Sequence, residues 1–442
     1  MSSCHLNPYL QFTRLDEWLS YLENLHTKEI DLGLTRIKQV ADILAIDLSF
    51  ATVITVAGTN GKGTTCAFME NALLSDTTHG KANSVAVYSS PHIEHFNERL
   101  RINKRDVNDS ALIKAFIQIE QARGTISLSY YEYTTLAALL VLMVEKPNYI
   151  ILEVGLGGRL DATNIIDANV AVITTIDLDH QSFLGNDRET IGFEKAGIMR
   201  ANQNIVIGDT NAPKSVIAHA NSLGDNGRVY LRNDNFCIYE ETSTEATSSW
   251  TWQYQSTSFT KLNSPFIPRD NVATALMVLL SLGIKLSTAF INQIIEKTKV
   301  AGRTEVFKQS NGCDIVLDVG HNPQATRYLA GYLQKMKLTK PNSNRKVYAV
   351  VAMLGDKDIS NSLLGLKDEI DYWYTSELNV PRAAPISLMT EKLNAFTNNI
   401  NCFDNIGEAF RIANEQANTD DLILVFGSFY TVAAIRQQLL IN

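Results

Sequence analysis

Between residues 53 and 65 the chain reads Val-Ile-Thr-Val-Ala-Gly-Thr-Asn-Gly-Lys-Gly-Thr-Thr, an apolar β-branched run that breaks into a glycine turn with one lysine and then enters a helix. Such a turn suits phosphate. Backbone N–H groups around Gly58, Asn60, Gly61 and Gly63 can point at phosphate oxygens, the helix beginning near Thr64 adds its positive end, and Lys62 adds a mobile charge. Thr64 is then placed to reach Mg²⁺. The common pattern G-x-x-x-x-G-K-[ST] is not met literally, because Val56 stands at the first glycine position and Gly63 separates Lys62 from the first hydroxyl. The loop is a variant.

Other residues carry chemistry at the ends of apolar runs. Ser90, Glu153 and His180 are oxygen and nitrogen donors of the kind that hold Mg²⁺, an ion that uses few protein ligands and leaves the rest to phosphates and water. A glutamate closing the apolar strand Ile150-Ile-Leu152 is costly to bury unless paired or metal-bound. Each also has a plainer reading: Ser90 before Pro91 as a turn residue, His180 as a cap or hydrogen-bonded structural histidine. Lys195, in Phe193-Glu-Lys-Ala-Gly197, reads as a solvated lysine unless its amine is neutralised by modification. Asp318-Val-Gly-His-Asn-Pro323 and Gly302-Arg303 offer a carboxylate, an imidazole and a guanidinium that could close on a nucleotide. The same stretch also reads as a turn in which Asn322 caps a helix and Pro323 takes its first position.

The elements that must position these groups alternate. Strand-like runs at 53–57, 85–88, 149–154, 170–176 and 205–207 interleave with helical patterns near 64–74, 109–122 and 133–144, which predicts an α/β, mostly parallel sheet covered on both faces. In such sheets ligands sit at the carboxyl ends of the strands. Two helices precede the sheet, with Asn24 to Leu34 as a polar turn between them. Residues 210–265 show no helical period and read as short antiparallel strands and loops. Asn271 opens a helix, and strand patterns restart at 313–319, 347–353, 372–376 and 422–426. The chain therefore divides into residues 1–300, containing the phosphate loop, and residues 301–442, a smaller Rossmann-like α/β domain.

Composition limits the function classes. The 442 residues are 45% hydrophobic and 19% charged with a formal net charge of -8, which opposes a sequence-independent grip on nucleic acid. Five scattered cysteines form no C-x-x-C pair and no disulfide framework, which suits a reducing cytoplasm. The longest apolar run, Leu136 to Val144, is far short of the ~20 residues that cross a bilayer, and the N-terminus lacks a basic signal sequence.

Taken together, Gly58 to Thr65, Tyr88-Ser-Ser-Pro-His92, Asn97-Glu-Arg99, Ile151 to Asn164, Leu178-Asp-His180, Glu194 to Ile198, Gly302-Arg303, Asp318 to Pro323 and Gly427-Ser-Phe429 resemble, in order, the Mur-ligase-like family of ATP-dependent amide-bond ligases. Within it they look like the folylpolyglutamate synthases. The stretches Asn24 to Leu34 and Ser129 to Tyr133 look like bacterial bifunctional members, which make dihydrofolate and extend polyglutamate. The resemblance implies that Asn60, Gly61, Lys62, Gly63 and Thr64 bind ATP phosphates and that Asn271, Arg303 and Asp318 contact the nucleotide. It implies two Mg²⁺ ions on Ser90, Glu153, His180 and Thr64, and a carbamate on Lys195. Asn24, Leu25, His26 and Thr27, Ser129, Tyr130, Tyr131 and Glu132, and Leu160, Asp161 and Ala162 would face dihydropteroate. His321 and Ser428 would serve the glutamate side. The implied reaction transfers the γ-phosphoryl group of ATP to a substrate carboxylate, and L-glutamate attacks the acyl phosphate. Reduced folates would be the second acceptor, and one chain, a monomer, would carry every catalytic part. A monofunctional folylpolyglutamate synthase and a non-ligase ATPase switch are the competing readings.

Overall fold

The computed structural model describes residues 12–28, 30–77, 82–224, 228–240, 249–308, 313–338 and 344–441. Among these the chain forms two units, residues 1–176, 189–264 and 268–297 in the first, and 177–188, 265–267 and 298–442 in the second.

The first unit is built on eight strands: β1 (Thr52–Ala57), β2 (Val85–Tyr88), β3 (Leu100–Ile102), β4 (Arg105–Asp106), β5 (Tyr149–Glu153), β6 (Val170–Ile173), β7 (Asn204–Ile207) and β8 (Arg228–Leu231). Their order is β4-β3-β2-β5-β1-β6-β7-β8. All neighbours are parallel except the edge hairpin β3–β4 and its junction with β2. The central strands are buried on both faces, as near-continuous Val, Ile and Leu runs require in a parallel sheet. On one face, alternate residues Ala86 and Tyr88, and Ile150 and Leu152, pack with Trp18, Phe116, Tyr133 and Leu136 in one core. That core is supplied by helices Leu15–Glu23, Thr35–Ile43, Asp109–Arg123 and Tyr130–Glu145. Helix Lys62–Ser75 packs with helix Arg269–Ser281. Since β1 lies between β5 and β6, the loops leaving β1 and β5 emerge side by side at the carboxyl end of the sheet.

Two expectations are corrected here. Helix Tyr130–Glu145 starts three residues earlier than the apolar run suggests, because Ser129 and Glu132 cap each other's backbone and pull the Tyr-rich segment into the first turn. Residues 210–265 are only partly antiparallel. They begin with helix Lys214–Ser222, which buries just Val216 and Ala220, and with β8, which extends the parallel sheet. Two small buried residues among Ser, His and Asn give too weak a periodic signal to read. The antiparallel part is the sheet of β9 (Phe236–Glu240), β10 (Trp250–Tyr254) and β11 (Thr257–Leu262), where Trp252 stacks on Phe259 at 5.6 Å.

The second unit carries β12 (Glu305–Lys308), β13 (Asp314–Asp318), β14 (Val347–Val351), β15 (Tyr372–Ser376), β16 (Ile400–Phe403) and β17 (Leu422–Phe426), ordered β12-β13-β17-β14-β15-β16. Only β12 runs antiparallel. β16 escapes a hydrophobic reading because it is an edge strand whose middle residues are exposed.

Candidate active site

The phosphate loop leaves β1 with Gly58 at φ +155° and Gly61 at φ +89°. A side chain at Gly61 would meet Asn271 Oδ1 at 2.5 Å, and one at Gly58 would meet Thr174 Oγ1 at 1.9 Å. Glycine is therefore required both by conformation and by close approach. The loop is braced from β6: Thr174 and Thr175 donate to the Asn60 carbonyl at 2.7 and 3.0 Å. Lys62 Nζ donates to the carbonyls of Gly58 and Thr59 at 2.9 and 3.3 Å, so its charge is held over the loop's own backbone. Thr64 is buried in the first turn of the helix, where its hydroxyl donates to Gly61 O and accepts from Asn271 Nδ2 at 2.8 Å. Sequence positions 64 and 271 thus meet.

Glu153 closes β5 with 7% of its surface exposed. A Cβ at Gly63 would stand 3.6 Å from its carboxylate, which puts Glu153 against the start of the phosphate-loop helix. The following glycine loop is held by Asp161, whose carboxylate accepts from the N–H groups of Gly155, Leu156 and Thr163 and from the Thr163 hydroxyl. Burial raises the pKa of Asp161 and these bonds oppose the rise. Four accepted bonds make Asp161 a clamp on loop shape, and Ala162 sits in the core. Leu160 is half-buried. Gly155 lets the loop approach the Tyr131 ring, since a Cβ there would lie 2.7 Å from Tyr131 Cζ. Tyr131 stacks on Tyr88 at 6.2 Å. Burial pushes its phenol well up, Asp161 adding to the rise and Ser90 opposing it. Lys195, 4% exposed, lies in the last turn of helix Arg188–Ala196, whose carbonyls at 194 and 195 abut Gly158.

The turn between the first two helices meets the start of helix Tyr130–Glu145. His26 Nδ1 pairs with Ser127 Oγ at 2.7 Å and Nε2 with Asp31 Oδ2 at 3.1 Å. Arg36 bridges Asp31 at 2.8 Å and Glu132 at 3.2 Å. Glu132 Oε2 accepts the Ser129 N–H at 2.7 Å. Tyr130 lies beneath the Arg99 guanidinium at 5.6 Å, and Arg99 Nε donates to His92 Nδ1 at 2.9 Å. Asn24 and Thr27 are exposed, with Asn24 Nδ2 donating to Ser20 O, and Leu25 packs on the core edge. Glu29 lies outside the described residues.

In the second unit Asp318 closes β13, is 6% exposed, and accepts from Gly320 N at 2.7 Å and Thr304 N at 2.8 Å. Burial raises its pKa while Arg303 lowers it. The Arg303 guanidinium lies 5.4 Å from the Phe429 ring. Asp179 gathers Lys357 Nζ at 2.9 Å, Asn322 Nδ2 at 3.0 Å and His321 Nε2 at 3.8 Å, and Lys357 reaches His180 Nε2 at 3.3 Å. Desolvation of Asp179 is outweighed by Lys357, His180 and His321, which hold its carboxyl well below the usual range. His321 donates from Nδ1 to Val319 O, leaving Nε2 with a lone pair, and burial followed by Lys357 lowers its pKa to about 4. Ser428 bonds Thr431 through both hydroxyl and backbone, capping the last helix.

The structure thus joins Thr64 to Asn271, Glu153 to Gly63, and His180 to His321 through Asp179 and Lys357. Ser90 and Glu153 belong to the first unit and His180 to the second. Among the described residues no three His, Cys, Asp or Glu side chains form a protein cage for a metal. Sequence reasoning missed Asp179, Lys357 and Arg36. Lys357 had a usable signal, a Gly-Asp-Lys-Asp run just past the buried strand β14; Arg36 looks like any polar residue of an amphipathic helix.

Two family models match the chain, the Mur ligase middle domain over residues 56–282 and the Mur ligase glutamate ligase domain over residues 302–429. The chain is 40% identical over 423 residues to a dihydrofolate synthase/folylpolyglutamate synthase of Escherichia coli, covering 96% of this chain and 95% of the relative. Among solved structures it is similar to E. coli FolC in complex with DHPP and ADP, with a TM-score of 0.88, 40% identity, and coverage of 97% of this chain and 98% of that one. A bifunctional folylpolyglutamate synthase/dihydrofolate synthase solved with Mn, AMPPNP and L-glutamate matches with a TM-score of 0.86 at 40% identity, covering 97% of this chain and 98% of that one. This chain therefore belongs to the Mur ligase family, within its dihydrofolate synthase/folylpolyglutamate synthase branch.

Proposed function

We propose that this chain is an ATP-dependent carboxylate–amine ligase that adds L-glutamate to dihydropteroate and to reduced folates. The observation that carries the reading is the glycine-built phosphate loop with Lys62 above it and the buried Glu153 at its helix start, in a chain 40% identical over nearly its full length to an enzyme bearing both activity names. The γ-phosphoryl group passes from ATP to an oxygen of the acceptor carboxylate, releasing ADP. The glutamate amine then attacks the acyl carbon, phosphate leaves with the bonding pair, and the amine's proton is lost to give the amide.

Asn60, Gly61, Gly63 and Thr64 bind the phosphates through loop amides and the helix end, and Lys62 turns from its own carbonyls to the transferring group. Asn271, Arg303 and Asp318 serve the nucleotide, and His321 and Ser428 the glutamate. The donor types suit a hard divalent ion: in the first unit a buried carboxylate at Glu153 and hydroxyls at Ser90 and Thr64, with the imidazole of His180 added on the family resemblance alone. These residues would hold two Mg²⁺ ions, which when bound offset phosphate charge. Lys195, 4% exposed, is proposed to be a carbamate, as the family resemblance implies, which would turn a cation into a metal-site anion. Asn24 to Thr27, Ser129 to Glu132 and Leu160 to Ala162 form the dihydropteroate side, with Asp161 and Glu132 acting through loop and helix geometry. Residues 1–300 and 301–442 are the proposed functional halves. The protein acts as a monomer in the cytoplasm.

The test is ADP release by purified protein with Mg²⁺ and L-glutamate plus either dihydropteroate or a reduced folate, with products identified by mass. Glutamylation of both acceptors is expected. Activity with folate alone would leave a monofunctional synthase, and no glutamate-dependent product would overturn the ligase reading.

A further inference from the structure

The polar contacts between the first two helices and helix Tyr130–Glu145 converge on one side chain that the proposed chemistry does not use. Arg36, on helix Thr35–Ile43, contacts Asp31 twice, by an ion pair to Oδ2 at 2.8 Å and a hydrogen bond to the backbone carbonyl at 3.0 Å. It contacts Glu132 through both Nε and Nη2, at 3.4 and 3.3 Å to Oε2, with Nη2 3.2 Å from Oε1. Only a planar, forked cation can reach a backbone carbonyl and two carboxylates together; a lysine is a single point of charge. Asp31 in turn holds His26, which reaches Ser127, so the tie spans the turn from both ends. The Glu132 side chain is 3% exposed, and Arg36 is the cation the structure pairs with it. Its Oε1 has the Arg36 charge beside it but accepts no hydrogen bond in this structure, so one buried oxygen remains available as an acceptor.

We infer that Arg36 is a positioning residue for the acceptor pocket: it fixes the spacing between the His26–Asp31 turn and the Ser129–Glu132 helix start, and holds the Glu132 carboxylate in its orientation. This rests on the assignment of those two stretches to dihydropteroate. Arg36 lies on neither the phosphate loop nor the strand ends that carry Glu153, so its loss should disturb capture of the acceptor and spare ATP. Without it the 3% exposed Glu132 carboxylate loses the cation beside it, and the turn is held only through His26.

The experiment is steady-state kinetics of Arg36→Met, Arg36→Lys and the double variant Arg36→Met/Glu132→Gln, with dihydropteroate, ATP and L-glutamate each varied. The double variant leaves no unpaired buried charge and so keeps the test open if Arg36→Met fails to fold. A KM for dihydropteroate raised about tenfold or more, with kcat and the KM for ATP within about threefold and a partial return in Arg36→Lys, is expected from losing a charge-assisted clamp. A merely structural role would instead lower kcat in step with folded fraction and leave every KM unchanged, and that result overturns the inference. So does an equal rise in KM for ATP. Wild-type protein that glutamylates folate but not dihydropteroate would overturn the underlying substrate assignment, and this is seen before any variant is made.

Discussion

Two turns in this molecule connect a buried strand to a helix and both looked chemical in sequence, yet they are built in opposite ways. The turn after β1 is shaped by what is missing: Gly58 and Gly61 leave room for Thr174 and Asn271, and the lone lysine lies on the loop's own carbonyls. The turn after β13 is shaped by what is added, a buried carboxylate at Asp318 that takes the N–H groups of Thr304 and Gly320, with Asn322 Oδ1 capping Ala325. The first arrangement is the one proposed to present backbone and charge to phosphate. The second fixes a scaffold. Asp161 repeats the second design within the first unit, and Ser428 does so with a hydroxyl. A polar residue at a strand end is thus as often the builder of a loop as the reagent it displays.

The comparison is most easily broken at its lysines. Lys195→Ala should nearly abolish turnover, while intact-mass measurement of the native protein should show added CO₂ that bicarbonate restores after acid treatment; normal activity in the variant would remove the carbamate assignment. Lys62→Ala should lower kcat by about 10²- to 10³-fold, the scale for losing one preorganised electrostatic group, with a smaller change in thermal stability than a buried strand-end carboxylate would give. A fall in melting temperature equal to that of an Asp318 variant would erase the distinction between the two turns. Asp318→Ala, unlike Lys62→Ala, is expected to cost about 3 kcal/mol of stability in urea titration because two buried amides lose their acceptor, in addition to any loss of nucleotide contact.

The smallest expected effect concerns two histidines, one per unit. His92 is lowered to about 4 by burial and then by Arg99, whose Nε–H needs a deprotonated Nδ1 to accept it. His321 reaches about 4 by burial and then Lys357. The unfolded chain takes up these protons near pH 6.5 and the folded chain only near 4. Stability is therefore full above about pH 6.5 and falls as pH drops toward 4, by roughly 2 kcal/mol per histidine. His92→Gln should flatten that slope by one proton's worth in unfolding titrations at pH 4.5 and 7; an unchanged slope would mean that His92 is not held neutral.

Much of this was legible in the chain itself. β-branched runs such as Val53 to Ala57 and Ile150 to Leu152 can be buried on both sides only in a parallel sheet, and a glycine turn with one lysine between strand and helix has few uses besides phosphate. The start of helix Tyr130–Glu145 was harder, because the Ser129–Glu132 cap precedes its apolar stretch. Helix Lys214–Ser222 was harder still, with so little apolar surface to bury. Arg36 could not be singled out, because a charged residue on a helix face is ordinary until its partners are known, and the Gly-Asp-Lys-Asp run after β14 marks Lys357 without naming its partner.

Local sequence determined which elements form, where the phosphate loop lies and which residue types stand at strand ends, since those follow from backbone conformation and side-chain period over a few residues. Tertiary structure alone decided which polar groups meet: Asn271 on Thr64 across 207 positions, Lys357 on Asp179 across 178, and Arg36 on Glu132 across 96. The reason is physical. Burial makes an unpaired charge or hydrogen-bonding group costly, so each of these side chains takes its role from the partner that the fold brings to it.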